Sequence, residues 1–159
     1  MRGWYWQIQD DMIQLPVLEN SLLSLNHMIQ EIRSGKELGT KPKSICLAGF
    51  SQGGTVAVSY PLVYPDSIDY AGNFAGYIPR GLPVNDRVDP KRYGRLLWGH
   101  GTRDYCNDYY LAEWGFPQLD VLGVDYIHMH DPVGHTVHPR WFNEMLIQWL
   151  QTSKKSVIT

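Results

Sequence analysis

Gly49-Phe50-Ser51-Gln52-Gly53 sets a serine between two glycines in the pattern G-x-S-x-G, with an apolar run before it and a helical pattern after it. A serine hydroxyl is a weak nucleophile. It attacks a carbonyl carbon only when a base takes its proton and a third group orients that base. A strand–turn–helix setting projects such a serine at the carboxyl end of the strand, and the glycines two positions to either side leave room for so sharp a turn. The amide that follows, that of Gln52, can then donate to the oxyanion formed in acyl transfer. The simpler reading of these residues is a glycine-rich turn that opens a helix.

An acid and a histidine should follow the serine in that order. Two later loops, each directly after an expected strand, supply them. The first is His100-Gly101-Thr102-Arg103-Asp104, with Asp104 as the acid and Asp108 as its nearest rival. The second is His130-Asp131-Pro132-Val133-Gly134-His135, with His135 as the base; Asp131 is a weaker rival acid because it sits so close to His135. Carboxyl ends of strands are where ligands and reactive groups collect in open parallel sheets.

His128, His130, His135 and His138 also form a dense group with Asp131 among them. On a strand His128 and His130 would share a face, and the set could supply three or four ligands to a metal. The serine reading needs only His135 and no metal. It leaves His128 and His130 as strand-end residues and His138, beside Pro139, as a helix-entry residue. His100-Gly101 follows the elbow in the chain, so it is read as shaping the acid loop rather than as an oxyanion loop.

The elements that must hold these residues are legible in outline. Leu18, Leu22, Leu25, Met28, Ile29 and Ile32 follow helical spacing, with Gly35 as the stop. Residues 44–48 read as a short buried strand, and 53–64 as a helix that Pro61 could end or kink. Strands are expected at 69–75, 95–99 and 124–129, with a Gly/Pro-rich loop at 77–90 and a helix near 108–114. Trp141, Met145, Leu146, Trp149 and Leu150 mark a closing amphipathic helix that opens near Pro139. The first sixteen residues carry no convincing period. Strands alternating with helices predict an α/β fold with a parallel sheet covered on both faces.

The 159 residues amount to one domain, expected over 1–159, able to bury roughly 68–70% of the unfolded surface. A net charge of -2 without charge runs argues against nucleic acid as a partner. Cys46, in an apolar run, and Cys106, in a polar loop, do not form a disulfide framework. With no transmembrane stretch or signal-peptide pattern, a cytoplasmic location is expected.

With these residues in place, the chain resembles the phospholipase/carboxylesterase family, whose members include acyl-protein thioesterases. The resemblance rests on Gly49-Phe50-Ser51-Gln52-Gly53-Gly54, on Trp98-Gly99-His100-Gly101-Thr102-Arg103-Asp104 and on Gly134-His135-Thr136-Val137. Arg2-Gly3-Trp4-Tyr5-Trp6 is similar to the family's Arg-x-Trp-Phe/Tyr-Asp segment, with Trp6 in place of Asp, and Ala75-Gly76-Tyr77-Ile78-Pro79 is similar to its Ser-Gly-x-x-Pro turn.

The resemblance implies an α/β-hydrolase fold, a three-layer sandwich with a mostly parallel sheet. It also implies hydrolysis of acyl esters or thioesters by Ser51, His135 and Asp104 without a cofactor. Ile78 and Leu82, in the Gly/Pro-rich loop, are candidates for the acyl pocket, although ordinary packing explains both. Family members begin with several strands and a His-Gly-x-Gly loop that donates a second oxyanion amide. Nothing here matches that section, so the chain is expected to form the C-terminal two-thirds of the usual domain. A sheet edge is then expected to be open to a second copy or a partner. A non-catalytic member that acts by binding is the alternative.

Overall fold

The computed structural model describes residues 3–36 and 38–155, the side chains of 153–155 excepted. Arg2, part of the aromatic front segment, lies outside the described residues. In chain order come β1 (Gln7–Gln9), β2 (Met12–Ile13), α1 (Leu15–Ser34), β3 (Cys46–Phe50), α2 (Gln52–Val63) and β4 (Tyr70–Phe74). A 3-10 turn (Pro90–Tyr93), β5 (Arg95–Gly101), α3 (Tyr110–Leu122), β6 (Asp125–Asp131) and α4 (Pro139–Lys155) follow. β3, β4, β5 and β6 form one parallel sheet in that order. Each strand reaches the next through a helix or a long loop, as parallel pairing requires.

The two-residue period of the strands sorts the core into layers. Ala71, Leu96 and Trp98 face the larger apolar cluster, with Leu18, Leu22, Leu25 and Ile29 of α1, Val56 to Leu62 of α2, and Leu111 and Leu119 of α3. Tyr70, Phe74 and Leu97 face the other way, onto Trp141 and Met145 of α4. Gly72 and Gly99 belong to this second face. A Cβ on Gly72 would lie 2.2 Å from the Met145 sulfur, and one on Gly99 would lie 2.6 Å from the Trp141 ring. The bare backbone therefore lets α4 seat against the sheet. The result is the expected three-layer α/β arrangement.

Local reasons account for where the elements run. α1 buries one stripe and stops at Gly35, whose left-handed backbone (φ 79) donates its N–H to Ile32 O at 3.0 Å. α2 is buried on every side from Gly54 to Leu62, the mark of a helix enclosed by its neighbours. It continues through Pro61 to Val63, close to the expected end at 64 and without the earlier stop that Pro61 allowed, and Tyr64 N–H reaches Tyr60 O at 2.8 Å. α3 likewise runs through Pro117 and on to Leu122, well past the expected end. The segment that showed no period holds the small β1–β2 hairpin, too short to leave a pattern. β3 begins two residues later than the sequence indicated, at Cys46.

Burial differs across the sheet. β4 is buried at all five positions, whereas β3 is half-buried or exposed throughout and has no strand on its outer side among the described residues. Ser51 N–H donates to Phe74 O at 2.9 Å, and Ile45 O accepts from Tyr70 N–H at 3.3 Å. The two-residue period then turns the amides of Cys46, Ala48 and Phe50 outward. No helix among the described residues is long and apolar enough to cross a membrane.

Candidate active site

The turn from β3 into α2 holds Ser51 at φ 55, ψ -119, a left-handed backbone that a non-glycine residue adopts only under constraint. The constraint comes from both sides. Ser51 N–H is tied to β4 through Phe74 O, and Ser51 O accepts the Thr55 amide of α2 at 3.0 Å.

Two of the motif's three glycines are there for space. A Cβ on Gly49 would lie 2.1 Å from Gly53 O, and one on Gly54 would lie 2.5 Å from Asn73 Oδ1. At Gly53 the structure differs from the expectation, because a Cβ there meets nothing within 4 Å. Gly53 lies in the first turn of α2 and its missing side chain points into open space. Gly49→Ala is therefore expected to cost about 1–3 kcal/mol or more by overpacking. Gly53→Ala should stay within about 1 kcal/mol of the parent, on the stabilising side, because alanine is the better helix former. Urea unfolding of the two variants checks both.

The three residues proposed from sequence lie in one hydrogen-bonded row. His135 Nε2 is 2.9 Å from Ser51 Oγ, and His135 Nδ1 is 2.7 Å from Asp104 Oδ2. Asp104 is buried, Ser51 and His135 are half-buried, and the exposed Phe50 ring lies 4.7 Å from the imidazole. Asp104 is held from below: its Oδ1 accepts the amides of Cys106 and Asn107, both at 2.9 Å. A carboxylate with one oxygen bound to two backbone donors presents the other to the imidazole in a fixed direction.

The loops carrying the acid and the histidine are laced together. Thr102 N–H donates to Asp131 O at 2.9 Å and Arg103 N–H to Val133 O at 3.0 Å. A Cβ on Gly101 would lie 2.3 Å from Val133 O, so only glycine lets the two loops come this close.

Residues outside the row of three build the support. Asn107 is buried; its Nδ2 donates to Ala75 O at 2.6 Å, and its carbonyl accepts from His100 Nε2 at 2.8 Å. His100 is fully buried beneath Asp104, and burial pushes its pKa down, which keeps the ring neutral. Asn73 Oδ1 accepts the Gly76 amide at 2.9 Å and shapes the turn after β4. His100 carries a signal in the acid-loop motif, where it is expected to shape the loop; Asn107 and Asn73 carry none.

The rivals are placed elsewhere. Asp131 Oδ2 accepts from Arg140 Nη2 and Trp141 Nε1, both at 2.7 Å, and the Arg140 hydrogen bond holds its pKa down. Asp131 thus fastens α4 to the end of β6. Asp108 is exposed ahead of α3. His128 and His130 lie side by side, ring centres 5.0 Å apart, and His128 also packs 4.2 Å from Phe116. Burial, with smaller contributions from His130 and His100, pushes the His128 pKa down to about 4. His138 packs on Trp141, away from the site row. The four histidines are not brought to one point. Ile78 and Leu82 are buried within the larger apolar cluster, as packing residues would be. The amide of Gln52 opens α2, and its side chain reaches Tyr5 O at 3.4 Å.

A cavity of about 820 Å³ lies at the opposite, amino ends of β4 to β6. It is lined by charged residues, among them the pairs Arg33–Asp69 at 3.6 Å and Arg95–Asp125 at 2.9 Å.

No family model matches the chain. Among curated proteins, a probable carboxylesterase of Oryza sativa subsp. japonica is 30% identical over 116 residues, covering 72% of this chain and 41% of that protein. A probable carboxylesterase of Arabidopsis thaliana described as SOBER1-like is 25% identical over 168 residues, covering 98% of this chain and 62% of its own length. A further rice relative, 25% identical over 117 residues, is described as a probable inactive carboxylesterase; 68% of this chain and 48% of that protein are covered. The chain thus spans roughly half the length of these relatives.

Among solved structures, Arabidopsis thaliana SOBER1 superposes with a TM-score of 0.75 at 19% identity, over 96% of this chain and 74% of that one. Zea mays acyl-protein thioesterase 2 superposes with a TM-score of 0.69 at 18% identity, over 95% and 72% of the two chains. The structures fix the fold as that of the α/β-hydrolases, and with the curated relatives they establish that this chain is a member of the phospholipase/carboxylesterase family of that fold.

Proposed function

We propose that the chain is a serine hydrolase that cleaves acyl esters or thioesters through an acyl-enzyme. The observation that carries the reading is the pair of hydrogen bonds in series, Ser51 Oγ to His135 Nε2 and His135 Nδ1 to Asp104 Oδ2. In this order Nδ1–H donates to the carboxylate, so Nε2 is left with its lone pair towards the serine. His135 accepts the Ser51 proton as Oγ attacks the acyl carbon, and the Gln52 amide donates to the oxyanion. The imidazolium then gives its proton to the leaving alkoxide or thiolate. Water activated by the same nitrogen releases the carboxylic acid and frees Ser51. The reaction as written uses no cofactor.

Lysophospholipids, S-acylated proteins and small esters all present the required carbonyl. Residues 1–159 act as one domain in this reading. A reducing cytoplasmic setting suits two free cysteines. The open side of β3 is where a second copy of the chain would pair.

A fluorophosphonate probe tests the reading. It should phosphonylate Ser51 in folded protein and not in Ser51→Ala, and peptide mapping that places the adduct elsewhere would overturn it. The relative described as inactive favours a second reading, in which the row is kept without turnover and the chain acts by binding. Folded protein that takes no label would support that reading.

A further inference from the structure

One side chain of the acid loop has no part in the proposed reaction. Cys106 is exposed, carries a free thiol, and lies two residues after Asp104, which its own amide holds at 2.9 Å. One donor atom each from Cys106, Asp104 and His135 lies within 4.8 Å of the other two. A thiolate, an imidazole and a carboxylate are the ligand types of zinc, and three such donors with a water complete a tetrahedron. Bond lengths of about 2.0–2.3 Å place tetrahedral donors about 3.4–3.7 Å apart. The triangle therefore closes around an ion with movements of about an ångström, which a side chain on an exposed loop can make. The two backbone amides on Asp104 Oδ1 and the laced loops hold the carboxylate and the histidine near that geometry in advance.

We propose that Cys106, His135 and Asp104 form a zinc-binding site that switches the hydrolase off reversibly, because the ion takes the groups that orient the Ser51–His135 pair. The regulatory half of this proposal rests on the serine-hydrolase reading above. The ion enters between Asp104 and His135 Nδ1, the nitrogen that faces the carboxylate. The Cys106 thiol proton leaves to solvent. The neutral ring keeps its one proton on Nε2, since Nδ1 now gives its lone pair to the metal. A protonated Nε2 cannot accept the Ser51 proton, so binding the ion and activating the serine exclude each other. Removing the ion restores the Nδ1–H to Asp104 bond.

The test uses the full chain and separates the site from the activity. Co²⁺ added to metal-free protein should bind one per chain and give a near-ultraviolet thiolate-to-cobalt absorption band. Zn²⁺ should displace that band, Cys106→Ser should abolish it, and Cys46→Ser should leave it intact. In parallel, Zn²⁺ should suppress p-nitrophenyl acetate hydrolysis, and EDTA should restore the rate. Measured against its own zinc-free rate, Cys106→Ser should raise the zinc concentration for half-inhibition by about 100-fold or more, since loss of even an outer partner costs 10–100-fold in affinity. A band retained in Cys106→Ser, or inhibition by zinc unchanged in that variant, overturns the proposal. A Cys106-dependent band on protein without turnover or fluorophosphonate labelling keeps the metal site and removes the hydrolase reading.

Discussion

Asp104→Asn is expected to lower kcat by about 10⁴-fold with little change in KM, as loss of the orienting acid did in another triad enzyme. The asparagine amide would offer N–H to His135 Nδ1, at the 2.7 Å contact where the aspartate now accepts. The ring would then carry its proton on Nε2 and donate to Ser51 instead of accepting from it. Asp108→Asn should leave the rate within a few-fold, because that side chain is exposed ahead of α3. Asp131→Asn should act on stability, by loosening Arg140 and Trp141 at the start of α4. His135→Ala should match Asp104→Asn, whereas His128→Ala, His130→Ala and His138→Ala should cost stability more than turnover. Steady-state hydrolysis of a p-nitrophenyl ester reads all of these. A loss from Asp108→Asn equal to that from Asp104→Asn would move the acid to the head of α3.

Supplying a second oxyanion donor is expected to raise kcat by about 10²–10³-fold, the factor that one such donor typically carries. The amide of Gln52 follows Ser51 directly and is one donor. In the family that this chain belongs to, the other comes from a glycine-rich loop ahead of the elbow, and no described residue matches it. The same region of the family supplies strands on the outer side of the elbow strand. Among the described residues that side of β3 has no partner strand, and the amides of Cys46, Ala48 and Phe50 face outward. An open edge beside half-buried side chains favours pairing with another chain.

The 159-residue chain is accordingly expected to run as a dimer or larger on size exclusion with light scattering, and to turn over p-nitrophenyl acetate slowly. A chimera carrying such strands and loop, taken from a solved carboxylesterase of this fold, should run as a monomer and gain the stated factor. Ala48→Pro, which removes an outward amide and leaves the β4 side of the ladder intact, should also shift the chain towards monomer. A well-behaved monomer whose rate the chimera does not improve would show that the chain completes its sheet edge and oxyanion hole by itself.

Much of the site was legible in the sequence because its parts are local. A sharp turn needs Gly49, and a nucleophile must sit between a strand and a helix. The acid and the histidine follow later strands in an order that parallel topology imposes. The four sheet strands could be read as short, largely apolar runs between turn residues, and the closing helix because its buried face has a helical period. Pro61 does not end α2, whose bounds follow the sequence reading, whereas α3 outruns its expected end and carries Pro117 inside; burial of α2 on every side and packing of Phe116 against Trp98 accompany the missing N–H groups. The β1–β2 hairpin escaped because three residues against two leave no period.

Only tertiary structure could separate the competing side chains. Chain position favours Asp104 over Asp108 and Asp131 without separating them physically; burial, two backbone amides on one oxygen and a 2.7 Å contact to His135 do that. The same holds for the histidines, since which one meets Ser51 depends on how closely the loops after β5 and β6 approach. Gly101 permits that approach, and the resulting contacts join residues far apart in the chain. The freedom at Gly53, the support from Asn107 and Asn73, and the convergence of Cys106 on the acid are likewise decided by packing in three dimensions, which no local spacing encodes.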